Sequence, residues 1–342
     1  MLAKMALSPL QHVFSVSMAP SDPLHLRVIT HNVRYATSSL STGERPWPER
    51  EPLILSQLSH ELRYTDVFVS HNSTSSTAGA SSSCCTALIC FQEALHNQLV
   101  DLLAGLNEIP KEDRDGNPSA GPNWAHIGVG RDDGKRKGEF SPILYPIKTF
   151  TVLDSETVWL SPTSDRPSKG WDAGSIRILT VAVFEHRRTR QRFLAANTHL
   201  DNAGTKSRLE SVKIILATLR RVHEKWSARG GDLAVVLAGD FNSFPEQEAY
   251  VAIKEDGWLR DLHDEIKTEK RYGDIITFTG FEPEKEDEQG RIDFIWLGSG
   301  GSDGNKKEPW KPVGYAVLPN LFENGIYLSD HRAVVGDVVL NT

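Results

Sequence analysis

Cysteine is nearly absent. The 342 residues hold three, Cys84, Cys85 and Cys90. An odd, clustered set makes no disulfide framework. No His or further Cys stands at zinc spacing from Cys84 and Cys85, and Cys90, in an apolar run, reads as a small core residue. This usage suits a reducing, cytoplasmic compartment. Long apolar runs are missing too. No stretch of about 18 apolar residues exists, so neither a transmembrane helix nor membrane insertion is expected. Pro9, Gln11 and His12 interrupt the apolar part of the first segment, which makes a poor signal peptide. Residues 1–23 are therefore expected to be a disordered leader, with Met18 as an alternative start. Positive charge is not in excess. A formal net charge of -7 argues against a broad basic face for nucleic acid, though not against a local basic pocket. A Ser or Cys nucleophile elbow is also lacking.

What remains is ordinary for a soluble globular protein, 39% hydrophobic and 24% charged. A strand is expected from Leu26 to Ile29 and a helix over residues 49–63, with Pro52 in its first turn. A Ser/Thr-rich insertion without periodicity follows near 69–86. Residues 87–92 read as a buried strand. The next helix carries Leu95, Leu99, Leu102, Leu103 and Leu106 on one face. Beyond a polar loop at 107–123, strands alternate with turns up to residue 200, which implies mainly antiparallel pairing. A long amphipathic helix is expected over 204–226, then the strand LAVVLAGD, a short helix and two closing strands around a polar loop at 299–310. The pattern predicts an α/β fold, a four-layer α/β/β/α sandwich of two packed, mixed, mainly antiparallel sheets with helices outside.

Six short polar motifs stand at the ends of apolar runs: THN (Thr30 to Asn32), FQE (Phe91 to Glu93), NTHLD (Asn197 to Asp201), GDFN (Gly239 to Asn242), RID ending at Asp293, and SDH (Ser329 to His331). Each alone has a plain structural reading. Glu93 suits a helix start, GDFN a turn, SDH a turn into the last strand, and His199 a satisfied core histidine. Asp293 is harder to dismiss, because a carboxylate between Ile292 and Phe294 needs a partner. Taken together, Asn, Glu, Asp and His at strand ends suit a hard divalent cation and a water nucleophile.

In order and spacing, this set resembles the endonuclease/exonuclease/phosphatase superfamily, related to deoxyribonuclease I. The resemblance covers roughly Leu26 to Leu340 and implies one domain over 24–342. The stretches VGRDDGKRKGEFSPILY and SKGWDAGSIR are similar to a small fungal and bacterial branch. The resemblance implies Glu93 as the main metal ligand, with Asn32 and Asp330 supporting it. It implies Mg2+ as the ion, with Mn2+ substituting. Asp240 and Asn242 would position the attacking water. His331, oriented by Asp293, and His199, paired with Glu139, would flank the phosphate. Arg177, Asn197, Lys169 and Trp171 are assigned to substrate or phosphate contact. Trp47 is equally a packing residue or a rim. Asn202 stands where this branch often has His. The basic loop Arg131, Lys135, Arg136 and Lys137 is a solvated face or an anion guide.

The leading expectation is a metal-dependent phosphoesterase acting on a small phosphorylated molecule: a sugar, an inositol or a lipid head group. A nuclease on DNA or RNA uses the same residues. The acidic balance and the acidic run from Glu282 to Glu288 favour the first. A non-catalytic scaffold would have lost a ligand or base, and none is lost. No protein partner is inferred.

Overall fold

The computed structural model describes residues 23–70, 86–108, 123–282, 289–298 and 308–340. All but the last residue of the expected leader, nearly all of the Ser/Thr-rich insertion with Cys84 and Cys85, the acidic run after Glu282 and most of the 299–310 loop lie outside the described residues. In chain order the elements are β1 (Leu24–Asn32), α1 (Trp47–Ser70), β2 (Ala87–Gln92), α2 (His96–Leu106), β3 (Trp124–Ile127), β4 (Ile143–Pro146), β5 (Phe150–Trp159), β6 (Ile178–His186) and β7 (Arg192–His199). Then come α3 (Thr205–Ser227), β8 (Ala234–Asp240), α4 (Glu248–Asp256), β9 (Leu259–Asp261), α5 (Leu262–Glu265), β10 (Arg271–Gly273), β11 (Asp293–Gly298), β12 (Trp310–Val317) and β13 (Val334–Leu340). The sequence does not announce β9 and β10. Each is three residues long, too short to show a period.

One sheet has the order β10-β12-β13-β1-β2-β4-β3 and the other β5-β6-β7-β8-β11-β9. A parallel pair lies inside each, β1 with β2 and β7 with β8. Parallel neighbours need a crossover, and α1 and α3 supply it. The expected meander is split between the sheets: β3 and β4 pair in the first, β5 to β7 in the second.

Side-chain alternation explains the layers. In β8, Ala234, Val236 and Ala238 pack between the sheets, while Val235 and Leu237 pack under α3 with Val212, Ile215 and Leu219. In β1 and β2, Val28, Leu88 and Cys90 point inward. Ile29 and Ile89 point outward, to the layer of Ile54 and Leu58 from α1 and Leu99 and Leu102 from α2. The result is the four-layer sandwich that the sequence pattern predicts, helices outside and two sheets within. Trp47 is settled as a packing residue: its Nε1 donates to Asp101 of α2 at 2.8 Å.

The same alternation builds the site. The inner face of β1 runs through Leu26 and Val28 and ends in Thr30 and Asn32. That of β2 ends in Gln92, that of β7 in Asn197 and His199, and that of β8 in Asp240. Antiparallel β11 places Asp293 opposite Asp240. The face between the sheets is thus apolar through most of its length and polar at one end. Asn197 lies wholly within it: its Nδ2 donates to the carbonyls of Phe91 and Pro142 at 2.7 and 2.8 Å, and its Oδ1 accepts from Gln92 at 2.7 Å.

Two buried polar hubs fix the loops around this end. Arg50 of α1 donates to the carbonyls of Val33 and Leu328 at 2.7 Å, Arg45 at 2.9 Å and Arg34 at 3.0 Å. Asp201 accepts backbone N–H bonds from Gly174, Ser175, Ala203 and Gly204, and one from Arg177 Nε. Burial alone would raise the Asp201 carboxyl. The backbone N–H groups of Gly174, Gly204 and Ser175 and the Arg177 guanidinium outweigh it and hold the group down at about 2.

Replacing Arg50 by Met strands the carbonyls of Val33, Leu328 and Arg45, while that of Arg34 keeps Gln98, and is expected to cost about 3 kcal/mol in urea unfolding. Arg50→Lys should recover part of this. A carboxyl held below its ordinary 3.8 stabilises the fold fully above that value, and the contribution is lost as pH falls towards 2. Thermal unfolding from pH 5 to 2 should therefore be steeper for wild type than for Asp201→Asn.

Candidate active site

Backbone geometry, not strand alternation alone, brings Glu93 into the crevice. Gln92 faces inward, so the next residue of a regular strand would face outward. Glu93 instead takes a left-handed conformation (φ 60°), and Asn242 does the same (φ 45°). The Glu93 carboxylate accepts from Asn32 Nδ2 at 3.1 Å and from the Tyr35 N–H at 3.1 Å. Asn32 Nδ2 also donates to Asp240 Oδ2 at 2.9 Å, across the two sheets. Its Oδ1 accepts from the Arg34 N–H at 3.0 Å. Asn32 therefore orients two carboxylates, and its own carbonyl oxygen is already engaged.

His331 Nδ1 is 2.9 Å from Asp293 Oδ2, and its Nε2 is 3.6 Å from Asp240 Oδ2. Burial alone would lower this imidazole. The Asp293 and Asp240 carboxylates and the bond to Asp293 reverse that and raise it to about 10, so His331 is an imidazolium at neutral pH. Phe278 lies beside it, ring centres 5.0 Å apart. Thr277 Oγ1 accepts the Asp293 N–H, and the Asp330 carbonyl accepts the N–H groups of Thr279 and Gly280. The segment 277–280 thus straps the RID and SDH motifs together.

His199 is the opposite case. Burial, then the Arg177 and Arg131 guanidiniums, hold it well below its ordinary range, so it is neutral. Asn242 Nδ2 lies 3.0 Å from its Nε2 and also reaches the Leu200 carbonyl. Since an amide nitrogen only donates, Nε2 accepts and the ring proton is assigned to Nδ1. His199 Nε2 is 3.4 Å from Asp240 Oδ2, and its Nδ1 is 3.7 Å from Glu139 Oε2. The His199–Glu139 pair suggested by the sequence is close but not hydrogen-bonded. Glu139 Oε2 instead accepts from Arg131 at 2.6 Å.

Charge decides which residues suit a cation. Burial raises the Asp240 carboxyl to about 7, with Asp293 adding to it against His331 and the bonds from Asn32 and Asn242. Burial also raises Asp330, with Glu93 adding to it against His331 and Arg34. Two carboxyls, Asp240 and Asp330, pushed up by burial and by neighbouring carboxylates call for more positive charge. A hard divalent cation with oxygen ligands and retained waters fits that need, and Glu93 and Asp330 are placed to hold one. Asp240, Asp293 and His331 also offer three atoms within 4.8 Å. There, however, His331 Nδ1 is already bonded to Asp293 at 2.9 Å, so the group reads as an ion pair. A second cluster, Asp261, His263 and Asp264, is already matched by cations. Arg291 reaches Asp261 at 2.5 Å, Arg271 reaches His263 at 3.1 Å and Lys254 reaches Asp264 at 3.4 Å.

Other expected contacts fall differently. Asn197 is wholly buried, with both Nδ2 protons and its Oδ1 engaged, and does not reach the crevice. Arg177 is mostly engaged inside the protein: Nε with Asp201 at 3.2 Å and Nη2 with Asn202 at 3.0 Å. Lys169 is exposed and Trp171 half-buried, and among the described residues no hydrogen bond or ion pair joins either to the site. Arg34 is a site residue that sequence reasoning missed. It lies 3.4 Å from Glu44 and 3.9 Å from Glu93, and a cation two residues beyond Asn32 was the available signal. Phe278 and Thr277 carry no such signal.

No family model matches the chain. A curated relative, the Ccr4 exoribonuclease subunit of the CCR4-Not complex from Phaeosphaeria nodorum, is 24% identical over 220 residues, 45% of this chain. That match spans only 36% of the relative's length. An endonuclease/exonuclease/phosphatase family protein of Bacteroides thetaiotaomicron superposes with TM-score 0.72 at 29% identity, covering 94% of this chain and 97% of its own. A mannosyl-6-phosphatase of the same organism superposes with TM-score 0.70 at 30% identity, covering 92% of this chain and 100% of its own. With the six motifs gathered at one end of the sandwich, these likenesses show that the chain belongs to the endonuclease/exonuclease/phosphatase family.

Proposed function

We propose that the crevice hydrolyses a phosphoester of a small phosphorylated molecule by direct attack of water. The observation that carries the reading is the arrangement about Asp240. This buried carboxylate, its pKa raised towards neutrality, lies between the His331 imidazolium and neutral His199, with Glu93 and Asp330 alongside. A divalent cation held by Glu93 and Asp330, magnesium or manganese, would neutralise charge on the phosphoryl oxygens. The protein's own groups supply the rest. Asp240 accepts the proton of the attacking water, a task for which a pKa near neutral is suited. Asn32 holds Asp240 in place from the other sheet. The His331 N–H donates to a non-bridging oxygen, and Asp293 keeps the imidazole charged and aimed. One bond forms from water oxygen to phosphorus, the P–O ester bond breaks, and the released alcohol takes a proton.

The small-molecule preference rests on the net charge of -7 and on the likeness to a mannosyl-6-phosphatase. The likeness to an exoribonuclease subunit favours a second reading, hydrolysis of a nucleic acid by the same residues.

A panel of sugar phosphates, nucleotides, phosphodiesters, lipids and plasmid DNA, with Mg2+ and Mn2+, tests both. Glu93→Ala, Asp240→Asn and His331→Ala are each expected to lower kcat by on the order of 10²-fold or more. Wild-type rates in all three would overturn the assignment. A chelator should abolish turnover, and added Mn2+ should restore it. Plasmid nicking at low protein concentration, lost in Glu93→Ala, would favour the nuclease.

A further inference from the structure

On the side of His199 away from Asp240, a buried cluster is left with unmet hydrogen-bonding capacity. Arg131 Nη1 donates to Glu139 Oε2 at 2.6 Å, while Arg177 Nη1 is 3.9 Å and His199 Nδ1 3.7 Å from the same oxygen. Arg177 Nη1 and His199 Nδ1 are buried without a hydrogen-bond partner, and Arg131 Nε has only the Asp132 carboxylate at 3.7 Å. Two orphaned donors beside one carboxylate are costly to leave unmatched. They sit one imidazole away from Asp240 and Asn242, where the water and the phosphorus would meet.

The cluster is rigidly framed. The Arg131 N–H donates to the Glu139 carbonyl at 3.1 Å, and the Arg131 carbonyl accepts from Trp159 Nε1 at 2.8 Å. Asp133 Oδ1 accepts the N–H groups of Lys135, Arg136 and Lys137 within 2.9 Å, which folds the loop back on itself. Arg177 is fixed by Asp201 and Asn202. Backbone bonds thus turn Arg131 inward, out of the exposed row of Lys135, Arg136 and Lys137.

We propose that Arg131, Glu139 and Arg177 form a subsite for adjacent hydroxyl groups of the leaving group. The substrate is then a phosphomonoester of a neutral polyhydroxy compound, of the sugar or inositol class. Donor–acceptor matching favours hydroxyls here. A guanidinium only donates and a carboxylate only accepts. A hydroxyl that donates to Glu139 and accepts from Arg131 or Arg177 satisfies both, and a second hydroxyl can do the same beside it. Hydrolysis releases the polyol and inorganic phosphate, with the ester oxygen leaving on the polyol. The inference rests on the phosphoesterase reading and narrows its substrate.

The test compares kcat/KM of wild type, Arg131→Met and Arg131→Lys on mannose 6-phosphate, myo-inositol 1-phosphate and p-nitrophenyl phosphate, which has no hydroxyls to read. The loss in Arg131→Met should be roughly 10- to 100-fold greater on the polyol esters than on the aryl ester, with Arg131→Lys recovering part of it. Mannose and myo-inositol serve as the two arms of a second measurement on wild type, which needs no variant to fold. At least one should inhibit aryl phosphate hydrolysis competitively. Equal losses on all three esters, or no loss on any, would overturn the subsite, as would wild type that cleaves the aryl ester and neither polyol ester. Wild type that cleaves no phosphoester with Mg2+ or Mn2+ would remove the broader reading as well.

Discussion

The constraint on which the rest depends is the burial of Asp240 between two sheets that are apolar almost everywhere else. A carboxylate there is stable only with bonds and opposite charge around it. Asn32 comes from the other sheet to bond it, His331 supplies a positive charge, and Asn242 donates its backbone N–H. The same demand raises His331, which needs Asp293 in turn, and leaves His199 neutral beside two guanidiniums. Two histidines of one crevice thereby hold opposite protonation states. Acid and base roles are commonly divided in this way.

Holding these groups together strains the backbone. Among the described residues, six other than glycine have positive φ: Arg34, Glu93, Glu108, Trp171, Arg190 and Asn242. Arg34, Glu93 and Asn242 belong to the crevice, and Trp171 lies in the loop tied to Asp201. Side chains rarely adopt this conformation, and it persists only where the surroundings enforce it. Arg50 bonds the Arg34 carbonyl, and Asp201 bonds the N–H groups of Gly174 and Ser175 in the loop of Trp171.

Most of the architecture could be read from periodicity. Strands such as β8 and the long helix α3 declare themselves by alternation and by a 3.6-residue face, and the layered fold follows from their order. The short strands β9 and β10 do not, because their register is set by β11 and β12 and not by any pattern of their own. The candidate site was legible as a set of motifs because its residues cluster at strand ends. What their spacing does not carry is direction. Asn197 belongs to the same NTHLD motif as His199 and faces the same way, yet it lies one pleat deeper and bonds the two sheets together. Arg131 looks like one more cation of an exposed run, and only backbone bonds within its loop turn it inward. Arg50 belongs to no motif and is wholly buried, because four carbonyls await it.

The carboxylates converging at the mouth of the sandwich should hold a hard cation beside Asp240. Titration of Mn2+ followed by electron paramagnetic resonance tests this without reference to any substrate. Wild type should bind Mn2+, Mg2+ should displace it, and Glu93→Gln should bind at least tenfold more weakly at unchanged fold. Mn2+ binding equally tight in wild type and Glu93→Gln would contradict the account.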